Sequence, residues 1–285
     1  MIKLSPPKHN INDAIQLCTD GMSKEDLKDR IYQGSDEIRE SAADYCVKAE
    51  GGELFTIDPI EGDEESVVNS GVSKREFVNL YEYYFRNTKK PGREIYDALM
   101  LSADESCPFC GGIGRPKNLD HYLPKAHFPQ FSILPFNLLP SCRDCNMDGK
   151  GEHYATAYHE QIIHPYLDKE CFFQEQWVFA QVLPGSPCAL DFYVSPPEEW
   201  EANDKLRAEQ HFIDFDLSKR YSIQAANLVT FIVTIRSTIM KDSTAEEFKA
   251  FLSSYIDSPL FINHWQVVSC QALANSDWFC TEGHL

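Results

Sequence analysis

The chain has 285 residues, enough for one large domain or two modest ones whose core needs no disulfides, so its ten cysteines do not read as an oxidised framework. Its 26 Lys+Arg stand against 44 Asp+Glu, a net charge of −18 that argues against free binding to any polyanion. The start MIKLSPPKHN lacks a charged-then-apolar signal, and the longest apolar run, LVTFIVTI before Arg236, is too short to span a bilayer. A cytoplasmic protein without a membrane partner is expected.

Residues 1–22 show no periodicity and are expected to form an extended arm. From Ser23 the pattern turns helical, with Ser23-x-x-Asp26 as its cap, and runs to Lys48. The glycine- and acid-rich segment 51–71 reads as a loop. A second capping signal, Ser73-x-x-Glu76, precedes Phe77, Leu80, Tyr81, Tyr84 and Phe85, whose spacing fits one helix face. Residues 87–92 break that helix, and Arg93 to Ser102 forms another that leads to Cys107. Beyond the central block, 161–168 is a short connection, and Phe172–Val182 with Cys188–Val194 forms a hairpin around Pro184-Gly185. Helices are then expected over Asp204–Phe212, Ser218–Met240, Ser243–Ile256 and Phe261–Ala274. Their aromatics (Trp200, Phe212, Tyr221, Phe231, Phe248, Phe251, Trp265) fall at helical spacing and are assigned to the core. The chain thus divides into an acidic, mainly helical region 1–106, a central block 107–168, and a hairpin-plus-helices region 169–285. No flexible linker separates them, which suggests one compact body.

The central block carries the chemistry. It opens with Cys107-x-x-Cys110 and closes with Cys142-x-x-Cys145. In a reducing compartment two such pairs point to a four-thiolate zinc site, because each tight turn supplies two thiolates. Pro108 and Gly111-Gly112 suit the first turn. The other cysteines (Cys18, Cys46, Cys171, Cys188, Cys270, Cys280) sit among apolar neighbours and read as buried thiols. The stretch 111–141 is longer than a plain metal ribbon needs, so Leu119 to Lys125 is expected to form an extended hairpin with the return at Asn137. From Pro140 the chain enters a helix on which Asn146 and Lys150 share a face. Charge within Cys107–His153 is balanced: Arg115, Lys117, Lys125, Arg143 and Lys150 against Asp120, Asp144, Asp148 and Glu152.

The order Cys-x-x-Cys, Asp120-His121, Asn137-Leu138, Cys-x-x-Cys-Asn146 and Lys150 resembles the HNH endonucleases, over about one sixth of the chain. The wider block looks like the HNH subunits of Septu-type anti-phage systems, including retron-associated ones. The resemblance implies an α+β fold in which a ββα-metal core with a four-cysteine zinc site is embedded in helical flanks. It also implies metal-dependent hydrolysis of nucleic acid, with an ABC-type ATPase subunit, and in some cases a retron RNA–DNA complex, as partner. Within it, His121 is the general base, and Asp120 and Asn146 supply hard oxygen ligands to Mg2+ or Mn2+. Asn137 holds the loop bearing His121, and Arg143 and Lys150 contact neighbouring phosphates. His127 and His153 stand as optional helpers at the phosphate. Strand alternation sends Asp120 and His121 to opposite faces, so one centre can use both only if it straddles a distorted strand end. The residues leave DNA and RNA, for instance tRNA, both open as substrate. They also leave open a non-catalytic, zinc-stabilised module that binds protein or nucleic acid.

Overall fold

The computed structural model describes residues 1–69, 71–256 and 260–282, and the chain forms two compact units where the absence of a linker suggests one. Residues 3–168 make one unit; residues 169–285, joined by Met1 and Ile2, make the other. Helices dominate both and the sheets are small, an α+β composition.

In the first unit the N-terminal segment is not an extended arm. It carries helix α1 (Ile11–Asp20), because Asn10 accepts from the amides of Asn12 and Asp13 while the Asp13 carboxylate accepts from Asn10 N. Ala14, Ile15 and Cys18 bury one face of α1. The expected helix from Ser23 is two, α2 (Glu25–Gln33) and α3 (Ser35–Glu50), broken at Gly34; α2 starts at Lys24 without a side-chain cap. The loop that follows contains a two-stranded ladder, β1 (Val67–Asn69) with β2 (Val72–Ser73), and its Ser70 lies outside the described residues.

The Ser73/Glu76 capping box forms as read and starts α4 (Lys74–Asn79), which widens directly into a π-helical turn, Leu80–Phe85. Phe77, Leu80, Tyr81 and Phe85 are buried in the core with Ile15, Cys18, Ile31 and Ile38. Helix α5 (Arg93–Leu101) packs on a short antiparallel hairpin, β3 (Asn118–His121) with β4 (Leu138–Ser141). Its register pairs Asp120 with Leu139 and His121 with Leu138. Pro140 sits inside β4, so the helical return begins later than read, and it is a second π-helical turn, Asp144–Lys150.

In the second unit a short helix α6 (Cys171–Gln174) precedes the expected hairpin, β5 (Val178–Leu183) with β6 (Ala189–Val194). Helices α7 (Ala202–Asp214), α8 (Leu217–Ser237), α9 (Ala245–Ser253), α10 (Trp265–Ala274) and α11 (Asp277–Thr281) complete it, the last unforeseen in the sequence. Asn263 ties this unit together: its Oδ1 accepts from the amides of Trp177 and Val178, and its Nδ2 donates to Glu175 O. Trp200, Phe212, Tyr221 and Phe248 are buried as expected. Phe231 is instead 55 % exposed, because α8 turns it away from the face that buries Tyr221, Ala225, Val229 and Ile232. No helix among the described residues is long and apolar enough to cross a membrane.

Candidate functional site

Two centres lie side by side in the first unit. The first is the cysteine cluster. Cys107, Cys110, Cys142 and Cys145 are all buried, and their four sulfurs lie within 4.8 Å of one another. A tetrahedral ion with Zn–S bonds of about 2.3 Å separates its sulfurs by ~3.8 Å, so only a small contraction is needed. The Cys110 and Cys142 sulfurs stand 4.0 Å apart. Backbone amides already point at the sulfurs, Gly114 N at Cys110 Sγ (3.3 Å) and Cys142 N at Cys107 Sγ (3.4 Å), as suits negative charge there. Gly111 and Gly112 take positive φ (63° and 86°), which lets the first pair fold back on itself. Gly114 is required for another reason: a Cβ there would lie 2.5 Å from Cys142 Sγ. Hydrogen bonding with Cys107 lowers the Cys110 and Cys142 thiols below the usual range. Hydrogen bonding with the other cysteines raises Cys107 and Cys145. Four sulfurs this close cannot all be anionic without a cation, and the set can hold a metal ion such as zinc.

The second centre is a cleft of about 990 Å³ lined by β3, the segment after it and both π-helical turns. Asp120, His121 and Asn146 all line it, so the three residues expected to converge do share one cavity. His121 is the last residue of β3, and Tyr122 leaves the strand by donating its amide to Asn137 O. Asp120 and His121 both remain in ladder register with β4, and both line the cleft at this end of the strand.

His121 is held on two sides. Its Nε2 lies 2.9 Å from the carbonyl of Ser132, and a carbonyl can only accept, so Nε2 carries the proton and Nδ1 is left as the basic nitrogen. The Tyr81 ring meets the imidazole edge-on at 4.5 Å. Burial lowers the His121 pKa to about 3, which keeps the ring neutral at physiological pH. Ser132 is itself anchored, its hydroxyl donating to Phe77 O at 2.7 Å.

Asp120 is 8 % exposed, and its Oδ2 is buried without a hydrogen bond. The Lys150 ammonium is 3.7 Å away, an ion pair too long for a hydrogen bond. Burial raises the Asp120 carboxyl and lowers the Lys150 amine, and each charge opposes the other's shift. A buried carboxylate oxygen without a donor, in a cleft that Asn146 also lines, is an acceptor left to be satisfied from within the cleft.

Lys150 lines the cleft, with its ammonium turned to the backbone of His121. It is 6 % exposed and donates to His121 O at 2.6 Å, because the wider π-helical turn, closed by Gly151 N to Asn146 O at 2.9 Å, rotates it inward. Arg143 is exposed and lies outside the residues that line the cleft, on the far side of that turn's start. His127 packs on Tyr154 and His153 is exposed; neither lines the cleft.

Asn137 is fully buried and spans the loop between the two strands. Its Oδ1 accepts from Leu123 N (2.7 Å) and Tyr45 OH (3.1 Å), and its Nδ2 donates to Leu123 O and Phe131 O (3.1 Å each). Tyr45 OH in turn meets His164 Nε2 at 3.2 Å, and Tyr166 N donates to His164 Nδ1, which fixes that ring as the Nε2–H tautomer. Asn137 therefore holds the loop that supplies Ser132, the His121 acceptor. Tyr81, Ser132, Tyr45 and His164 were not legible as site residues. The run Phe77–Phe85 carried only a core signal, and nothing local marks a carbonyl as a partner.

No family model and no solved structure matches the chain. Among curated proteins it is similar to protein ea31 of Escherichia phage lambda. The two are 37 % identical over 294 residues that span 98 % of this chain and 99 % of the phage protein.

Proposed function

The chain belongs to the family of phage lambda protein ea31, and we propose that it is a metal-dependent phosphodiesterase that hydrolyses nucleic acid, DNA in preference to RNA. In this reading β3, β4 and the turn Asp144–Lys150 serve as an HNH-type ββα-metal centre, pinned by zinc at the four cysteines. The observation that carries it is the convergence in one cleft of a neutral His121 with Nδ1 free to accept, an Asp120 oxygen buried without a donor, and the Asn146 amide.

The chemistry follows from those residues. His121 takes the proton of an attacking water at Nδ1, and the Ser132 carbonyl steadies the resulting imidazolium through Nε2–H. A neighbouring phosphate's negative charge raises the His121 pKa from its buried value and so strengthens the base once substrate is in place. Asp120 and Asn146 would hold Mg2+ or Mn2+, which supplies charge stabilisation at the phosphorus and the departing oxygen. Asn137 and Lys150 keep the His121 backbone in register from two directions. With a net charge of −18, the chain needs help to approach a polyanion, which supports an ATPase partner that binds nucleic acid and delivers it. We extend the reading to an effector nuclease of an anti-phage complex. A phage relative is compatible with it, since a mobile element gains from cutting a competitor's nucleic acid.

The test is to incubate the purified chain, alone and with the product of the adjacent gene, against plasmid DNA and total RNA in Mn2+ or Mg2+. His121→Ala should lower cleavage by roughly 100-fold or more with zinc content unchanged. Cleavage at the original rate removes His121 as base. If neither nucleic acid is cut in any metal, the protein is a zinc-stabilised binding module instead.

A further inference from the structure

We propose that Arg86 and Lys125 are the phosphate-binding pair of the cleft, and that the Glu82 carboxylate bridging them occupies the position of a substrate phosphate. The proposal rests on the phosphodiesterase reading and adds substrate contacts to that cleft.

Five cations line the cleft: Lys74, Arg75, Arg86, Lys125 and Lys150. Three are committed elsewhere. Lys150 is buried against His121 O; Lys74 Nζ donates to the carbonyls of Ile60 (2.8 Å) and Gly62 (3.3 Å); Arg75 is held by Glu64 and Glu65 at 2.8 Å each. The remaining two converge on one group. Arg86 Nε lies 2.9 Å from Glu82 Oε2, and Lys125 Nζ lies 3.2 Å from Glu82 Oε1.

The Arg86 contact alone would be an ordinary helical i,i+4 pair. Lys125 changes its meaning, because it comes from the segment after β3, four positions beyond His121. Its ammonium also lies 5.9 Å from the centre of the Tyr81 ring, whose edge rests on His121. The electrostatic effect of Lys125 reaches both Asp120 and His121. The pair is therefore coupled to the centre rather than to a remote surface.

Glu82 presents two oxygens sharing one negative charge, each taken by a different cation. The two non-bridging oxygens of a phosphodiester present the same charge and the same division. A phosphodiester bound there gives each cation an anionic oxygen in place of a carboxylate oxygen, while the displaced Glu82 keeps its charge and opposes binding. The groups are within reach of a ligand, since the side chains of Glu82, Lys125 and Arg86 are 25 %, 32 % and 56 % exposed. Ion pairs this exposed contribute little to stability, so a substrate can displace the carboxylate. The cleft thus selects a phosphodiester backbone, with Glu82 guarding the pair in its absence.

The experiment uses the full chain carrying His121→Ala, so that binding is read without cleavage. Affinity for a fluorescent short oligonucleotide is measured across a salt series, with inorganic phosphate as competitor in a parallel arm. Arg86→Ala and Lys125→Ala should each weaken binding about tenfold and reduce the slope of log affinity against log salt by about one. Arg86→Lys and Lys125→Arg should restore most of that slope. Glu82→Gln and Glu82→Ala should tighten binding, and millimolar phosphate should compete only weakly against the longer backbone. Unchanged affinity in both cation variants, or weaker binding on loss of Glu82, overturns the assignment while leaving the phosphodiesterase reading intact. A chain that binds no oligonucleotide, yet keeps its fold and zinc, overturns both.

Discussion

Asn137→Ala separates a residue that holds the site from one that touches substrate. The wild-type amide makes four hydrogen bonds within 3.1 Å, to Leu123 N, Tyr45 OH, Leu123 O and Phe131 O, in a fully buried position. Truncation leaves Tyr45 accepting from His164 and Phe131 O accepting from Leu134 N, but strands the Tyr45 O–H, the Leu123 amide donor and the Leu123 carbonyl. At ~1–3 kcal/mol for each stranded group, tempered by partial relaxation, the loss is about 3–6 kcal/mol. For a unit of this size that lowers the unfolding midpoint by on the order of 10 °C. Asn137→Asp should do no better, since its second oxygen would face the carbonyls of Leu123 and Phe131 in place of an NH2 donor. The assay is thermal and urea unfolding of the metal-loaded chain, with cleavage measured on the fraction that stays folded. Cleavage should fall because the loop carrying Ser132 loses its tether, and with it the acceptor that orients His121. A variant that unfolds within about 1 kcal/mol of wild type refutes the tethering argument. If it is also inactive, Asn137 contacts substrate directly.

Two further outcomes follow from the same geometry. The purified chain should contain one zinc per molecule, and Gly114→Ala should lose it, because its Cβ would press on Cys142 Sγ, whereas Gly185→Ala, where the nearest atom is 3.4 Å away, should keep metal and stability; elemental analysis and a melt decide this, and a fully loaded Gly114→Ala chain counts against the cluster geometry. Stability should also depend on pH through His121. Its folded pKa, lowered by burial to about 3, lies below the ordinary imidazole value of 6.5, so the unfolded chain binds the extra proton between these values. Stability is then complete above about pH 6.5 and falls by about 1.4 kcal/mol per pH unit down to about pH 3. Urea unfolding of wild type against His121→Gln from pH 7 to 4 should show that extra slope only in wild type, and parallel profiles would mean that the ring is not buried neutral.

The features that the sequence determined are those encoded within a few residues of one another. Two Cys-x-x-Cys pairs specify two thiolate turns wherever they meet. Ser73-x-x-Glu76 specifies a helix start, and the alternation around Pro184-Gly185 specifies a hairpin. Asn10-x-x-Asp13 is a signal of the same class, overlooked because residues 1–22 show no periodicity. Tertiary structure decided the rest, because it depends on which distant groups meet and on the width of a helical turn. Helical periodicity puts Asn146 and Lys150 on one face and both do line the cleft, but only the packed chain buries the Lys150 ammonium against the backbone of His121. Only the packed chain brings Tyr81 and the Ser132 carbonyl to His121, and Glu82 to Lys125. Nothing in the order of side chains along 118–150 specifies a partner contributed from residues 77–86, since that contact comes from packing two separate segments against a common core.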